Sequence, residues 1–208
     1  MRVAVTALAW GLYLSSRAVS AQSWFEYEAI EDRFGVNFPA EPIVESFDYH
    51  SEFDAVFPAR IYSARRGSDV YSVTVVDFTD SQRIHAQMDK TEAASGSNVW
   101  INDQRASVAR AARQFRERGG DVTYDAWSHI DLVEGHQLQI TNPDRSRTYA
   151  GMYFNGNSQR LYVLEATISP TSPPAGLFQQ SLRFLDADGN RVRYRLSPNG
   201  CSVDPGEI

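Results

Sequence analysis

Residues 147–168, RTYAGMYFNGNSQRLYVLEATI, form two apolar runs that are rich in β-branched and aromatic side chains. Asn155-Gly156-Asn157 separates the two runs, and Asn-Gly accepts the positive φ angles of a type I′ turn. Both alternating sets of side chains in each run are mostly apolar, so both faces of such a hairpin need a covering layer. The pattern predicts a β-hairpin inside a sheet that is covered on both sides, with Val163 buried in its second arm.

Length and composition predict one folded domain. The chain has 208 residues, of which 42% are apolar and 12% aromatic, and this is enough for one hydrophobic core. Its formal net charge is −6 at pH 7. Because an acidic chain gains nothing from approaching nucleic acid or anionic lipid, we expect neither as a partner. The single cysteine, Cys201, allows no internal disulfide and is either a spectator thiol near the terminus or the partner of another molecule.

The start of the chain has the three parts of a secretory signal peptide. Arg2 supplies the positive charge, residues 3–14 are apolar, and Val19-Ser20-Ala21 places small residues where a signal peptidase reads. The apolar run is too short to span a bilayer comfortably, so we expect no membrane span in the mature chain. We therefore predict a signal peptide over residues 1–21 and a periplasmic or secreted protein. An uncleaved anchor or a misassigned start is the alternative.

Strand and helix patterns alternate along the remaining chain. Alternating apolar residues before residue 79 and from residue 122 predict strands. Apolar side chains three or four residues apart predict three helices. The first begins at Asp80 or Ser81, the second runs from Asn102 or Asp103 to Arg118, and the third covers residues 177–184. No linker in the sequence is long enough to divide the chain into two domains.

The second predicted helix is rich in arginine. Five arginines lie on it or at its end: Arg105, Arg110, Arg113, Arg116 and Arg118. They form either an anion-binding patch or the solvated face of an amphipathic helix, and the acidic surplus elsewhere in the chain favours the solvated face.

Several short motifs, taken in order, resemble those of PsbP-like domains. Residues 34–39, FGVNFP, are similar to the entry strand F-S-V-x-F-P of that family, and residues 71–77, YSVTVVD, to its strand Y-x-V-x-Y-x-D. A helix ending in Gly-Gly, a strand containing Gly135, a hairpin with RLYVL at residues 160–164 and a closing FQQSLRF at residues 178–184 follow in the family's order.

The resemblance covers roughly residues 24–185 and implies an α+β domain, an antiparallel sheet flanked by helices. We therefore predict a PsbP-like domain over residues 22–185, followed by an added ribbon and a flexible tail over residues 186–208. The resemblance also implies a binding or accessory role without shared catalytic residues.

The sequence contains none of the motifs for a nucleophile elbow, a zinc protease, a phosphate loop or a redox cysteine pair. The best metal candidates are His129, Asp131 and His136, because a strand followed by a turn could bring their side chains together. The alternative is that they are surface residues at the end of a strand. We predict no metal and no other cofactor.

Two pairs of carboxylates are spaced for acid–base chemistry. Asp77 lies near Asp80, and Glu26 lies near Glu28, but no positioned histidine accompanies either pair in the sequence. We therefore interpret both pairs as structural or solvated.

The function predicted from the sequence is that of an exported, non-catalytic binding or accessory module with a protein or small-molecule partner. The alternatives are a metal-assisted or carboxylate-dependent hydrolase and a structural component of an envelope complex. The predicted contact region is the polar segment over residues 79–104, which carries Trp100. Tryptophan is a frequent interface anchor, although a position in the core before the long helix is an equal alternative.

The signal-peptide pattern predicts that the mature protein begins at or near Gln22. Amino-terminal sequencing of the protein recovered from the exported fraction tests this directly. A protein that still begins with Met1 would contradict it.

Overall fold

The hairpin predicted at residues 147–168 lies at the centre of a seven-stranded antiparallel sheet in a computed structural model of the protein. The structure describes residues 24–89, 96, 98–199 and 202–203. The predicted signal peptide at residues 1–21 and Cys201 lie outside the described residues. Two helices cover one face of the large sheet, and a small second sheet together with a short third helix covers the other, which confirms the predicted α+β fold.

The described residues contain the following strands and helices. The strands are β1 (Phe25–Ala29), β2 (Phe34–Phe38), β3 (Ile43–His50), β4 (Val56–Arg66), β5 (Asp69–Asp77), β6 (Asp121–Ile130), β7 (Val133–Thr141), β8 (Arg147–Asn155), β9 (Arg160–Ile168), β10 (Arg183–Phe184), β11 (Arg195–Leu196) and β12 (Ser202–Val203). The helices are α1 (Ser81–Gln87), α2 (Val99–Glu117) and α3 (Gly176–Gln179). No helix in this part of the chain is both long enough and apolar enough to cross a lipid bilayer.

The large sheet has the strand order β3-β4-β5-β9-β8-β7-β6 and is antiparallel throughout. β9 is therefore its middle strand. Side chains of the central hairpin alternate between two cores, with Tyr153 and Leu164 on one face and Met152 and Leu161 on the other. The prediction of a hairpin that is covered on both sides is confirmed.

The turn of the central hairpin differs from the predicted type I′ turn. Asn155 pairs with Arg160 at the end of the ladder, so residues 156–159 form the loop. Oδ1 of Asn155 accepts a hydrogen bond from the N–H of Asn157 at 3.1 Å, and the positive φ angle falls on Gln159, at 50°. The prediction of a type I′ turn was wrong because the loop has four residues and the Asn155 side chain, rather than a two-residue backbone turn, accepts the hydrogen bond inside it.

Helix α2 packs on one face of the large sheet. Its buried stripe is the predicted one, Val108, Ala111, Ala112 and Phe115. The helix ends where Gly119 and Gly120 take φ angles of 86° and 96°, a region that glycine adopts without strain.

The start of α2 differs from the prediction. The helix begins at Val99, whereas the capping pattern predicted a start at Asn102 or Asp103. Asp103 does not cap the helix, because its Oδ2 lies 2.9 Å from Nε2 of His85 on α1 and both side chains are buried. A tertiary contact therefore uses the side chain that the local pattern had assigned to the cap.

The small sheet, in the order β1-β2-β10, covers the other face of the large sheet. Phe34, Val36 and Phe38 of β2 are fully buried against it. The helix predicted over residues 177–184 is much shorter than expected, because α3 ends at Gln179 and the chain then forms β10 on β2.

Asp32, in the turn between β1 and β2, connects the two sheets. Its buried carboxylate accepts hydrogen bonds from Nε and Nη2 of Arg60 at 2.7 and 2.6 Å and from the hydroxyl of Tyr62, both on β4. The hydroxyl of Tyr162 on β9 donates to the Asp32 carbonyl oxygen at 3.0 Å. Burial and the neighbouring carboxylate raise the pKa of Tyr62, which keeps its hydroxyl a donor.

Residues beyond β10 stay close to the core. Val192 and Tyr194 are buried in the layer between the two sheets. Nδ2 of Asn155, at the tip of the central hairpin, donates a hydrogen bond of 2.8 Å to the hydroxyl of Tyr194. The pairing in this region is between β11 and β12, with one isolated bridge between Leu185 and Arg191.

Val163 is half-buried, although the sequence predicted a buried side chain. It lies on the face covered by α2, beside a cavity of about 360 Å³ between that helix and the sheet. The helix is narrower than the sheet and leaves this part of β9 partly open. Leu164, on the opposite face, is 0% exposed.

A matched pair of substitutions tests this difference between the two faces. Leu164→Asp places a carboxylate in a dry core and should lower the free energy of unfolding by about 3 kcal/mol or more. Val163→Asp should cost clearly less, because a carboxylate at that position reaches water. Urea unfolding of both variants and the parent measures the difference. An equal loss in the two variants would contradict the described covering of the sheet.

Candidate functional site

The three metal candidates each have a different partner in the structure. Nε2 of His129 lies 3.9 Å from Oε1 of Glu134, and Oδ2 of Asp131 lies 3.1 Å from Nη2 of Arg191. His136 is buried and contacts Asp125. Among the described residues, no group of three histidine, cysteine, aspartate or glutamate side chains is arranged to hold a metal ion.

His136 belongs to an ion-pair cluster between β6, β7 and α2. Nε and Nη2 of Arg116 donate to the carboxylate of Asp125 at 2.8 and 2.9 Å, and Nε2 of His136 lies 2.5 Å from Oδ1 of the same carboxylate. The hydrogen bonds from Arg116, followed by that from His136, lower the pKa of Asp125 to about 2. The cluster holds the end of α2 against the sheet edge, and its carboxylate is fully engaged.

The two carboxylate pairs also have structural partners. Asp77 accepts a hydrogen bond from Nη2 of Arg160 at 3.0 Å. Asp80 pairs with Arg83 one turn later in α1. Glu26 and Glu28, on one face of β1, lie 3.4 and 3.3 Å from Nη2 of Arg183, whose side chain crosses β2 to reach them. Asp77 lines a cavity of about 560 Å³, but each pair is bonded to arginine, so neither is free to act as an acid–base pair.

The arginines of α2 are largely neutralised. Arg110 and Arg113 both contact Glu52, Arg116 contacts Asp125, and Arg118 contacts Glu165. Because four of the five guanidinium groups already have carboxylate partners, the geometry favours a solvated helix face over an anion-binding patch.

A buried His–Asp pair lies between α1 and α2. Asp103 contacts His85 and is hydrogen-bonded to Ser51, whose hydroxyl oxygen also accepts the backbone N–H groups of Phe53 and Ala55. Burial raises the pKa of Asp103. The carboxylate, not the imidazole, lies between the other two groups, so the imidazole is not beside Ser51 and the arrangement is not a Ser-His-Asp triad. It fastens the turn after β3 to the helices.

Trp100, the predicted contact residue, lies in the first turn of α2 and is half-buried. Part of the polar segment around it, residues 90–95 and 97, lies outside the described residues. The role of Trp100 as an interface anchor stays a prediction.

The best candidate site is a cleft of about 740 Å³ at the end of the molecule where α3 approaches the turn between β4 and β5. Its walls come from the start of β1, from β2, from that turn, from residues 169–175 and from α3. A volume of this size suits a small organic ligand.

Aromatic rings form the apolar wall of the cleft. The rings of Trp24 and Tyr71 meet edge to face at 5.0 Å, and the rings of Tyr71 and Phe178 do so at 5.3 Å. Trp24 is 36% exposed, and Leu177 on α3 is 86% exposed beside it. Aromatic and aliphatic surface that borders a concavity is typical of a binding site.

The loop that closes the cleft is held in place by hydrogen bonds. Oδ1 of Asp69 accepts the N–H of Ser169 at 2.8 Å. The guanidinium group of Arg147 donates to the carbonyl oxygens of Ser169 and Ser172. Gly67 makes the facing turn possible, because its φ angle of 61° is one that glycine favours. The cleft is therefore preformed.

Two polar groups on the cleft have unused hydrogen-bonding capacity. Oδ1 of Asn37 is buried and has no hydrogen-bond partner in the described part of the chain. Arg66 is exposed and forms no ion pair with any described residue. The described lining residues include no histidine and no cysteine, and the one carboxylate among them, that of Asp69, accepts the N–H of Ser169.

The sequence did not predict this cleft, because its residues are contributed by four separate segments. Trp24, Asn37, Tyr71 and Phe178 each follow an ordinary strand or helix pattern. The local signals that could have pointed to it are Trp24, a large aromatic side chain ahead of an edge strand, and the pair Pro173-Pro174.

The chain matches no protein-family model and no curated protein. Among solved structures, it is similar in fold to the solution structure of cyanobacterial PsbP (CyanoP) from Synechocystis sp. PCC 6803. The match has 13% sequence identity and a TM-score of 0.41, and it covers 84% of this chain and 99% of that chain. The likeness is one of fold alone.

The Asp125 cluster predicts a defined pH dependence of stability. The folded-state pKa of about 2 lies below the ordinary value of 3.8, so the contribution of Asp125 is present above about pH 4 and is lost as the pH falls towards 2. Asp125→Asn should therefore lower the melting temperature at pH 6, and the two melting curves should converge near pH 2. Asp121→Asn, on the same strand, is the control. A constant difference across this pH range would contradict the ion-pair assignment.

Proposed function

We propose that this protein is an exported, non-catalytic binding module that holds a small organic ligand in the cleft between α3 and the turn between β4 and β5. The observation that carries the proposal is a preformed cavity of about 740 Å³ with a packed aromatic wall. Export is supported by the signal-peptide pattern at residues 1–21.

Binding without catalysis is the interpretation that fits the polar groups lining the cleft. Its hydroxyl groups belong to Ser68, Tyr71, Ser169, Thr171 and Ser172, and its carboxylate belongs to Asp69. That carboxylate accepts the N–H of Ser169 and lies in a hairpin turn, and burial raises the pKa of the Tyr71 hydroxyl. These groups can donate and accept hydrogen bonds, but they do not form a nucleophile with a positioned base.

The walls of the cleft also favour a compact ligand. Burial of a flat apolar body against the aromatic and aliphatic lining makes the free energy of binding more favourable. Hydrogen-bonding groups at the edge of the cleft can orient that body. Because Asp69 and Arg147 already hold the loop over residues 169–175, little ordering is required when a ligand enters.

A fragment screen monitored by two-dimensional NMR tests the proposal. We expect flat aromatic fragments to shift backbone signals of Tyr71, Ser169 and Leu177. Trp24→Ala should lower the affinity for the best fragment at least tenfold, or by about 1.4 kcal/mol, because it removes one side of the aromatic wall.

Trp127→Ala is the matched control. Trp127 is an exposed tryptophan on β6, stacked edge to face on His136 and remote from the residues that line the cleft, so its loss should leave fragment binding unchanged. A screen in which no fragment shifts the cleft signals would contradict the proposal. Turnover of a substrate that a single substitution in the cleft abolishes would contradict its non-catalytic part.

A further inference from the structure

We propose that the ligand of the cleft is an organic anion, with a flat apolar body against the aromatic wall and one carboxylate bound by Arg66. This inference rests on the proposed binding function and adds the charge and shape of the ligand. The observation behind it is an exposed guanidinium group that lines the cleft and forms no ion pair with any described residue.

Arg66 lines the cleft and, like its neighbour Arg65, forms no ion pair with any described residue, whereas several other arginines of the sheets are already bonded. Arg60, Arg160 and Arg183 all bind carboxylates, and Arg147 binds two carbonyl oxygens. Arg66 lies at the end of β4, directly across the ladder from Asp69, which is the only acidic residue on the cleft. Oδ1 of that carboxylate accepts the N–H of Ser169.

The accessible charge on the cleft favours an anion over a cation, because the carboxylate of Asp69 is buried and bonded to Ser169 whereas Arg66 is exposed. A cationic ligand would face the guanidinium group of Arg66, whereas an anionic ligand would gain from it. The planar guanidinium group can donate two parallel hydrogen bonds to a carboxylate, which fixes orientation as well as charge. The exposed hydroxyl of Ser68, next along the turn, adds a donor at the same end.

The rest of the cleft defines the body of the ligand. Trp24 and Leu177 present exposed apolar surface, and Phe178 and Tyr71 lie behind them. Oδ1 of Asn37 on the same wall is buried without a donor, so an N–H or O–H group on the ligand would satisfy an oxygen that the described protein leaves unpaired. The class that fits is an aromatic or polycyclic carboxylic acid with one further donor.

Three probes that share one ring system test the inference by isothermal titration calorimetry. They are 2-naphthoic acid, which is an anion at pH 7, the neutral 2-naphthamide, and the cationic 2-naphthylmethylamine. We expect the acid to bind at least tenfold more tightly than the amide and the amine to bind most weakly. The preference for the acid should fall as salt is raised, because Arg66 is exposed.

Two arginine variants locate the charge that is responsible. Arg66→Gln should reduce the affinity for the acid to that for the amide and leave the affinity for the amide unchanged. Arg65→Gln is the matched control, since the neighbouring side chain on a strand points to the opposite face and Arg65 does not line the cleft. Circular dichroism confirms that both variants are folded.

The outcomes separate this inference from the proposed function. The anion preference is overturned if the amide binds in the cleft as tightly as the acid, or if Arg65→Gln lowers the affinity for the acid as much as Arg66→Gln does. Either result leaves the proposed binding function intact. If no probe binds and no fragment shifts the cleft signals, both are overturned.

Discussion

The buried carboxylate of Asp32 is the contact on which the two-layer arrangement depends. Two hydrogen bonds from Arg60 and one from Tyr62 hold it, and Tyr162 contacts the same residue through its carbonyl oxygen. A buried carboxylate is unfavourable unless each of its oxygens is bonded, so this turn can dock in only one way. The docking sets the register of β1 and β2 over β4 and β9, and it thereby places Trp24 and Asn37 on the cleft.

The cleft is a product of layering, since each of its walls belongs to a different part of the fold. The small sheet contributes Trp24 and Asn37, the large sheet contributes Arg66 and Tyr71, and the chain after β9 contributes Leu177 and its loop. Rigid sheets hold these pieces at a fixed separation, and Asp69 fastens the loop between them. A site built in this way is preorganised, which favours recognition of one shape of ligand over non-specific binding.

Local patterns predicted the strands well and the site poorly, for physical reasons. The strand over Phe34–Phe38 and the hairpin around Asn155 are encoded by alternation and turn residues that are close in sequence. The start of α2 was misplaced because Asp103 is used by His85, and the burial of Val163 depends on the width of a helix that packs across it. The cleft depends on contacts between distant segments, which no short pattern encodes.

The hydrogen bond between Asn155 and Tyr194 has a consequence for how the protein can be made. Asn155 is almost completely buried at the tip of the central hairpin, and its amide group bonds a hydroxyl that is synthesised 39 residues later. A nascent chain that has left the ribosome only as far as β9 therefore exposes an unpaired amide group and an uncovered row of aromatic rings. The core therefore cannot close completely until Tyr194 has left the ribosome, and a chain that stops before Tyr194 cannot form this hydrogen bond.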